Sequence, residues 1–233
     1  FFFQPQHGIR DAQESRGLGD VYKRQLGKEY LIDEKVCECC PTSSVRYDDN
    51  LVVAYRNRDS NEIRDIFIAR KIGDNWMEPY LVYKDNWQIA GCPVNGPMLA
   101  INGSNIALAW FTAANESAQV KVAFSKDIGK TFSNPIIIDN SMPLGRVDID
   151  WIDNKNVIVS WIKSTETSSN ILAKVVHIDD GKGRDFFVEA IPQGRISGYP
   201  QVKVIDKRAL FAWTENNQKT SVATKWISLN QLR

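Results

Sequence analysis

The sequence predicts an all-β chain folded as a β-propeller of four-stranded antiparallel blades, about four of them. Two observations carry this. One motif recurs: a polar turn residue, an apolar strand, then Ala or Ser, then an aromatic, at Asn50–Tyr55, Asn105–Trp110, Asn156–Trp161 and Arg208–Trp213. Its closing aromatics stand 55, 51 and 52 residues apart, and a period near 50 with several strands per repeat is what propeller blades show. Short β-branched runs bounded by polar turns also flank every copy, as strands do.

Taken in order, each repeat opens on a short strand, at Ser44–Tyr47, Met98–Ile101, Val147–Trp151 and Val202–Ile205. Polar turns such as Asp48-Asp49-Asn50 and Asn102-Gly103-Ser104 join it to the recurring strand as a hairpin. A third strand follows at Ile66–Arg70, Val120–Phe124, Ile171–Val176 and Ser221–Trp226. A fourth closes three of the repeats, at Tyr80–Tyr83, Pro135–Ile138 and Phe186–Glu189. The blades therefore span roughly 36–83, 92–139, 145–191 and 198–233. Within Leu26–Lys35, Tyr30–Asp33 reads as the fourth strand of an earlier blade.

Residues 1–25 are set apart. Asp20–Gln25 back-translates as GAT GTG TAT AAG AGA CAG, the end of a transposon-based sequencing adapter. The preceding Gly8–Gly19 has no strand period, so the stretch is read as an adapter scar and excluded from the fold. Residues 26–233 are read as the propeller fragment.

Between the third and fourth strands of the second blade stands Ser125-Lys126-Asp127-Ile128-Gly129-Lys130-Thr131-Phe132. Ser and Asp side chains bond their own backbone a few residues on, and glycine takes positive φ without a Cβ clash. The string S-x-D-x-G-x-T-F resembles the Asp-box, or bacterial neuraminidase repeat, of sialidase-like propellers. There the motif is structural, so Ser125, Asp127, Gly129, Thr131 and Phe132 are assigned no chemistry. Lys71–Trp76 and Asp179–Arg184 look like degenerate copies. Six blades are usual in that family, so the resemblance implies about four blades present of six.

The segments leading into the first strand of each blade form one mouth of a propeller. Here they are Cys37–Ser43, Cys92–Pro97, Gly145-Arg146 and Gly198-Tyr199-Pro200. All four cysteines lie in two of them: Cys37, Cys39, Cys40 and Cys92. The strings C-E-C-C-P and G-C-P-V-N-G-P, with Ala54–Asn57, Arg64-Asp65-Ile66 and Gly145–Asp148, resemble a subset of sialidase-like propellers. Three readings of the cysteines stand open: structural disulfides in an exported protein, a thiolate site for copper or zinc, or free or redox-active thiols. No other cofactor is expected.

The resemblance also implies what a sialidase site would need. In that family three arginines hold the substrate carboxylate, because a planar guanidinium matches it bidentately. A Tyr activated by a Glu is the nucleophile, and an Asp is the acid/base. The F/Y-R-I-P motif that carries the first arginine is absent. Arg146, Tyr199 and Glu215 are the catalytic candidates, the last two as a Tyr/Glu pair. Arg56, Arg64, Asp65, Asn95, Arg146 and Tyr199 are candidates for ligand binding at the mouth, with Asp65 the expected ion-pair partner of Arg64.

The charge balance, Lys+Arg 29 against Asp+Glu 28, offers no footprint for nucleic acid or a membrane surface. No run reaches transmembrane length. The expectation is a non-catalytic binding or scaffold propeller with a cysteine-lined mouth, monomeric and exported, taking a glycan or protein ligand. The alternative is an exo-acting sialidase-type glycoside hydrolase whose remaining catalytic blades lie outside this chain. Clustered cysteines without an arginine–carboxylate constellation would favour the first; converging arginines and a carboxylate would favour the second.

Overall fold

The computed structural model describes residues 29–194, 198–216 and 220–231; the adapter-like stretch 1–25 lies outside them. By contact the chain divides into Phe1–Ile32 and Asp33–Arg233. Of the first unit, residues 29–32 are described, and they carry no regular structure. The strand expected over Tyr30–Asp33 is therefore not formed.

The second unit is four antiparallel sheets in sequence order. The first holds β1 (Ser43–Tyr47), β2 (Asn50–Arg56), β3 (Ile66–Ile72), β4 (Asn75–Trp76) and β5 (Tyr80–Leu81). The second holds β6 (Met98–Asn102), β7 (Asn105–Thr112), β8 (Gln119–Ser125) and β9 (Ile136–Asp139). The third holds β10 (Pro143–Trp151), β11 (Asn156–Ser164), β12 (Ser169–His177) and β13 (Asp185–Ile191). The last is β14 (Gln201–Ile205), β15 (Arg208–Asn216) and β16 (Thr220–Ser228). Each sheet is an up-and-down meander, and every predicted strand within it appears. The one addition is the two-residue β4, which splits the outer edge of the first sheet; β5 still pairs with β3.

The opening strands are neighbours in chain order: β1 beside β6, β6 beside β10, β10 beside β14. Blades thus pack face to face, and the core lies between them. Trp110, Ile106 and Leu108 meet Val52 and Ile68 between the first two sheets. Trp161, Val157 and Val159 meet Phe111, Val120 and Phe124 between the next two. Phe211 and Trp213 meet Ile158 and Ile171 at the last interface. This explains why the recurring strands are apolar along their whole length: β7 is buried on both faces.

The Asp-box fixes one such interface. Ser125 Oγ donates to Asp127 Oδ1 at 2.8 Å and accepts the Gly129 amide at 2.8 Å. Asp127 accepts the amides of Lys130 and Thr131 at 3.0 and 2.9 Å and the Thr131 hydroxyl at 2.7 Å. Burial works against its charge, but these bonds outweigh it and hold the carboxyl below the usual range. Gly129 sits at φ +68°, where an added Cβ would stand 3.0 Å from Val52 of the neighbouring blade. Phe132 packs on the same interface.

Candidate functional site

The four lead-in segments converge. The first is pinned to the end of β2, where Cys37 donates its amide to the Arg56 carbonyl at 2.9 Å. A turn then lets the Cys40 amide reach the Cys37 carbonyl at 3.2 Å. That turn stacks three sulfurs together. Cys37 Sγ lies 2.9 Å from Cys40 Sγ and 3.7 Å from Cys39 Sγ. Cys39 is joined to Cys92 of the second lead-in by a disulfide, which ties the first two blades together. Cys37 and Cys40 are thiols, the first buried and the second half-buried.

Two guanidinium groups flank the sulfurs. Arg64 donates Nη1 to Cys37 Sγ at 3.2 Å and Nη2 to Glu62 at 3.0 Å. Arg56 is 2 % exposed, and its bonds run to the carbonyls of Asn95, Arg64 and Phe111, each at 2.6–2.7 Å. Its face lies 4.8 Å from the Trp87 ring centre. A buried cation held by dipoles alone favours anions nearby. At Cys40, burial and then the hydrogen bond with Cys37 push the thiol up to about 11, while the Arg56 charge pulls the other way.

The third and fourth lead-ins join the second. A bulge interrupts the pairing of β10 between Pro143 and Asp148 and turns Arg146 out of the ladder. Gly145 adopts φ +81°, and an added Cβ there would stand 2.3 Å from Asn95 Oδ1, so glycine is required. Asn95 accepts the Arg146 amide at 2.6 Å and donates to the Pro93 and Leu144 carbonyls at 3.2 Å. Arg146 donates Nη1 to the Gly198 carbonyl at 2.9 Å and lies 5.7 Å over the Tyr199 ring. Tyr199 donates its hydroxyl to the Val94 carbonyl at 2.6 Å, back across to the second lead-in. Burial raises its ionisation range; the Arg146 charge opposes this and the Cys40 and Cys37 charges add to it.

Several expected roles change on this geometry. Tyr199 is not paired with Glu215, because its hydroxyl is committed to a carbonyl; Glu215 lies on β15 opposite Ser221. Asp65 is not the partner of Arg64. It accepts the amides of Asn86 and Trp87 at 2.9 and 3.0 Å, and Glu62 takes Arg64 instead. Arg56 and Asn95 are buried braces between lead-ins, with their polar atoms turned to the protein.

Glu38, Arg58 and Glu62, which the sequence did not single out, line the accessible part with Arg64 and Cys92. A cleft of about 520 Å³ beside the disulfide is walled by Glu38, Arg58, Glu62, Arg64, Gly91 and Cys92. Arg58 pairs with Glu62 at 3.0 Å and with Glu38 at 3.3 Å. Arg58 first, then Arg64, holds Glu62 below the usual carboxylate range. Each cation here meets a protein carboxylate, so the cleft is neutralised from within.

Comparison with solved structures finds the same architecture. A Hadza microbial sialidase aligns over 80% of this chain and 45% of its own, at 18% identity and a TM-score of 0.51. A thermostable family-43 glycoside hydrolase aligns over 82% of this chain and 69% of its own, at 15% identity and 0.52. The fold is the β-propeller seen in these sialidases and family-43 glycoside hydrolases. Trypanosoma rangeli sialidase, solved with 2,3-difluorosialic acid, matches 86% of this chain at 11% identity and a TM-score of 0.51. The propeller spans 45% and 38% of the two sialidases' lengths. No protein-family model and no curated protein matches it.

Proposed function

We propose that this propeller is a non-catalytic binding platform whose mouth is built from cysteines and backbone carbonyls. One observation carries the reading: the guanidiniums of Arg56, Arg64 and Arg146 each meet protein groups, either carbonyls, the Cys37 sulfur or Glu62. A sialidase-type site instead aims three guanidiniums at a substrate carboxylate. The clustering of all four cysteines supports the same reading. The glycoside hydrolases among the structural neighbours make a glycan the first ligand class to test, with a protein ligand the second. Pairing of Cys39 with Cys92 supports an exported protein, since disulfides persist in oxidising compartments. Intact, it is proposed to be a monomer with six blades.

The test is a panel of sialosides and general glycosides, scored for hydrolysis and, on a glycan array, for binding. The platform reading expects binding without turnover. Turnover that falls on Arg146→Ala or Tyr199→Phe substitution would replace it with the hydrolase.

A further inference from the structure

We propose that the mouth is a thiol–disulfide exchange site, in which the Cys37–Cys40 dithiol reduces the Cys39–Cys92 disulfide beside it. The spacing Cys37-x-x-Cys40 and the turn at Cys40 bring the two thiols to 2.9 Å. Closing that gap to a disulfide bond of about 2.05 Å needs a movement of under ~1 Å. Cys37 Sγ also stands 3.7 Å from Cys39 Sγ, one end of the existing disulfide. Arg64 Nη1 donates to Cys37 Sγ at 3.2 Å, which fixes the sulfur beside Cys39.

The exchange balances without an outside reagent. The Cys37 thiol loses its proton to solvent and its thiolate attacks Cys39 Sγ; the Cys39–Cys92 bond breaks and Cys92 leaves as a thiolate. The Cys40 thiol gives up its proton, which ends on Cys92. The Cys40 thiolate then attacks Cys37 Sγ and displaces Cys39, which takes up a proton from solvent. Two thiols and one disulfide enter, and two thiols and one disulfide leave.

Burial sets the direction of traffic. Cys37 is 4 % exposed, whereas Cys92 is exposed on the wall of the cleft. The buried Cys37 thiol therefore communicates with the cleft through Cys39 and Cys92. Exchange releases the link between the first two blades and presents the Cys92 thiol to the cleft. The inference concerns the mouth of the proposed platform but needs no particular ligand.

The experiment holds the protein in glutathione buffers of graded poise, quenches in acid, alkylates, and maps disulfides by peptide mass. In the one-disulfide population of the wild type, both the Cys39–Cys92 and the Cys37–Cys40 isomers are expected. In Cys40→Ser the mixed Cys37–Cys39 disulfide should accumulate with Cys92 alkylated; in Cys37→Ser, Cys92 labelling should be lost. A single Cys39–Cys92 isomer at every poise would overturn the proposal. So would zinc or copper near one equivalent that must be chelated before any cysteine labels. If a variant fails to fold, the wild-type isomer ratio decides alone. Glycoside turnover would sink the platform reading and leave this map unchanged.

Discussion

Asp85 accepts the indole N–H of Trp110 at 2.8 Å, linking the segment after the first blade to the second strand of the next. The same link recurs one blade on, where Asp139 accepts Trp161 Nε1 at 2.8 Å. It recurs one blade back, where Tyr55 donates its hydroxyl to Asp33 at 2.7 Å. The closing aromatic of the first three repeats is thus both core filler and donor to a carboxylate from the preceding segment. At Trp213 the indole nitrogen is buried without a partner among the described residues.

These links differ in burial, and that orders their worth. Asp85 also takes Lys121 Nζ at 2.6 Å, and both side chains are almost fully buried. Asp85→Ala would strand a buried ammonium and an indole N–H, so a loss of about 3–5 kcal/mol is expected. Asp33 is only half-buried, and Asp33→Ala should cost about 1 kcal/mol. Urea unfolding monitored by tryptophan fluorescence checks this; equal losses would refute the ordering.

The Asp-box should behave as a structural staple with an acid-sensitive anion. Asp127→Ala removes its four bonds, with an expected cost of about 1–3 kcal/mol, and no effect on cysteine chemistry. Because the folded-state carboxyl lies below its unfolded range, its contribution is present above the unfolded value and lost as pH falls through the folded one. The stability gap between wild type and Asp127→Asn should therefore narrow in acid. A gap unchanged down to pH 3 would contradict this.

Asp148 should act in the opposite sense. It lies buried on β10 and accepts the amides of Val202 and Ile149 at 2.7 and 2.9 Å, yet burial raises its carboxyl to about 6. Its folded value lies above its unfolded one, so the stability it contributes is present at low pH and lost as pH rises through about 6. Asp148→Asn removes that dependence. Relative to wild type, the variant should gain about 3 kcal/mol between pH 3 and pH 8. A constant difference across that range, by urea titration, would count against the buried anion.

Arg56 is expected to tolerate no substitution. Arg56→Lys keeps the charge but loses the planar fork that meets three carbonyls from three segments. A cost of about 3 kcal/mol is expected, with faster alkylation of Cys40 as the lead-ins loosen. Unchanged stability and labelling would show that the brace is dispensable.

What could be read from the sequence followed from local physics. Strands such as Asn105–Trp110 announce themselves by composition, and Ser125–Phe132 by bonds that span four residues. What could not be read depended on register between distant segments. Arg56 follows an aromatic at a strand end and looks like an exposed edge residue; only the convergence of Asn95 and Phe111 buries it. The aspartates at 33, 85 and 139 carry a faint signal, a spacing close to that of the aromatics they serve. Cys37-x-x-Cys40 was visible as a spacing, but the pairing of Cys39 with Cys92 depends on two lead-ins lying side by side.

The most direct test of a cysteine-built mouth is non-reducing peptide mapping of the intact protein, with elemental analysis for copper and zinc on the same sample. The account predicts Cys39 linked to Cys92, or Cys37 linked to Cys40, with the other pair as thiols or joined to each other. Linkage of Cys37 or Cys40 to Cys92, or one equivalent of bound metal, would contradict it.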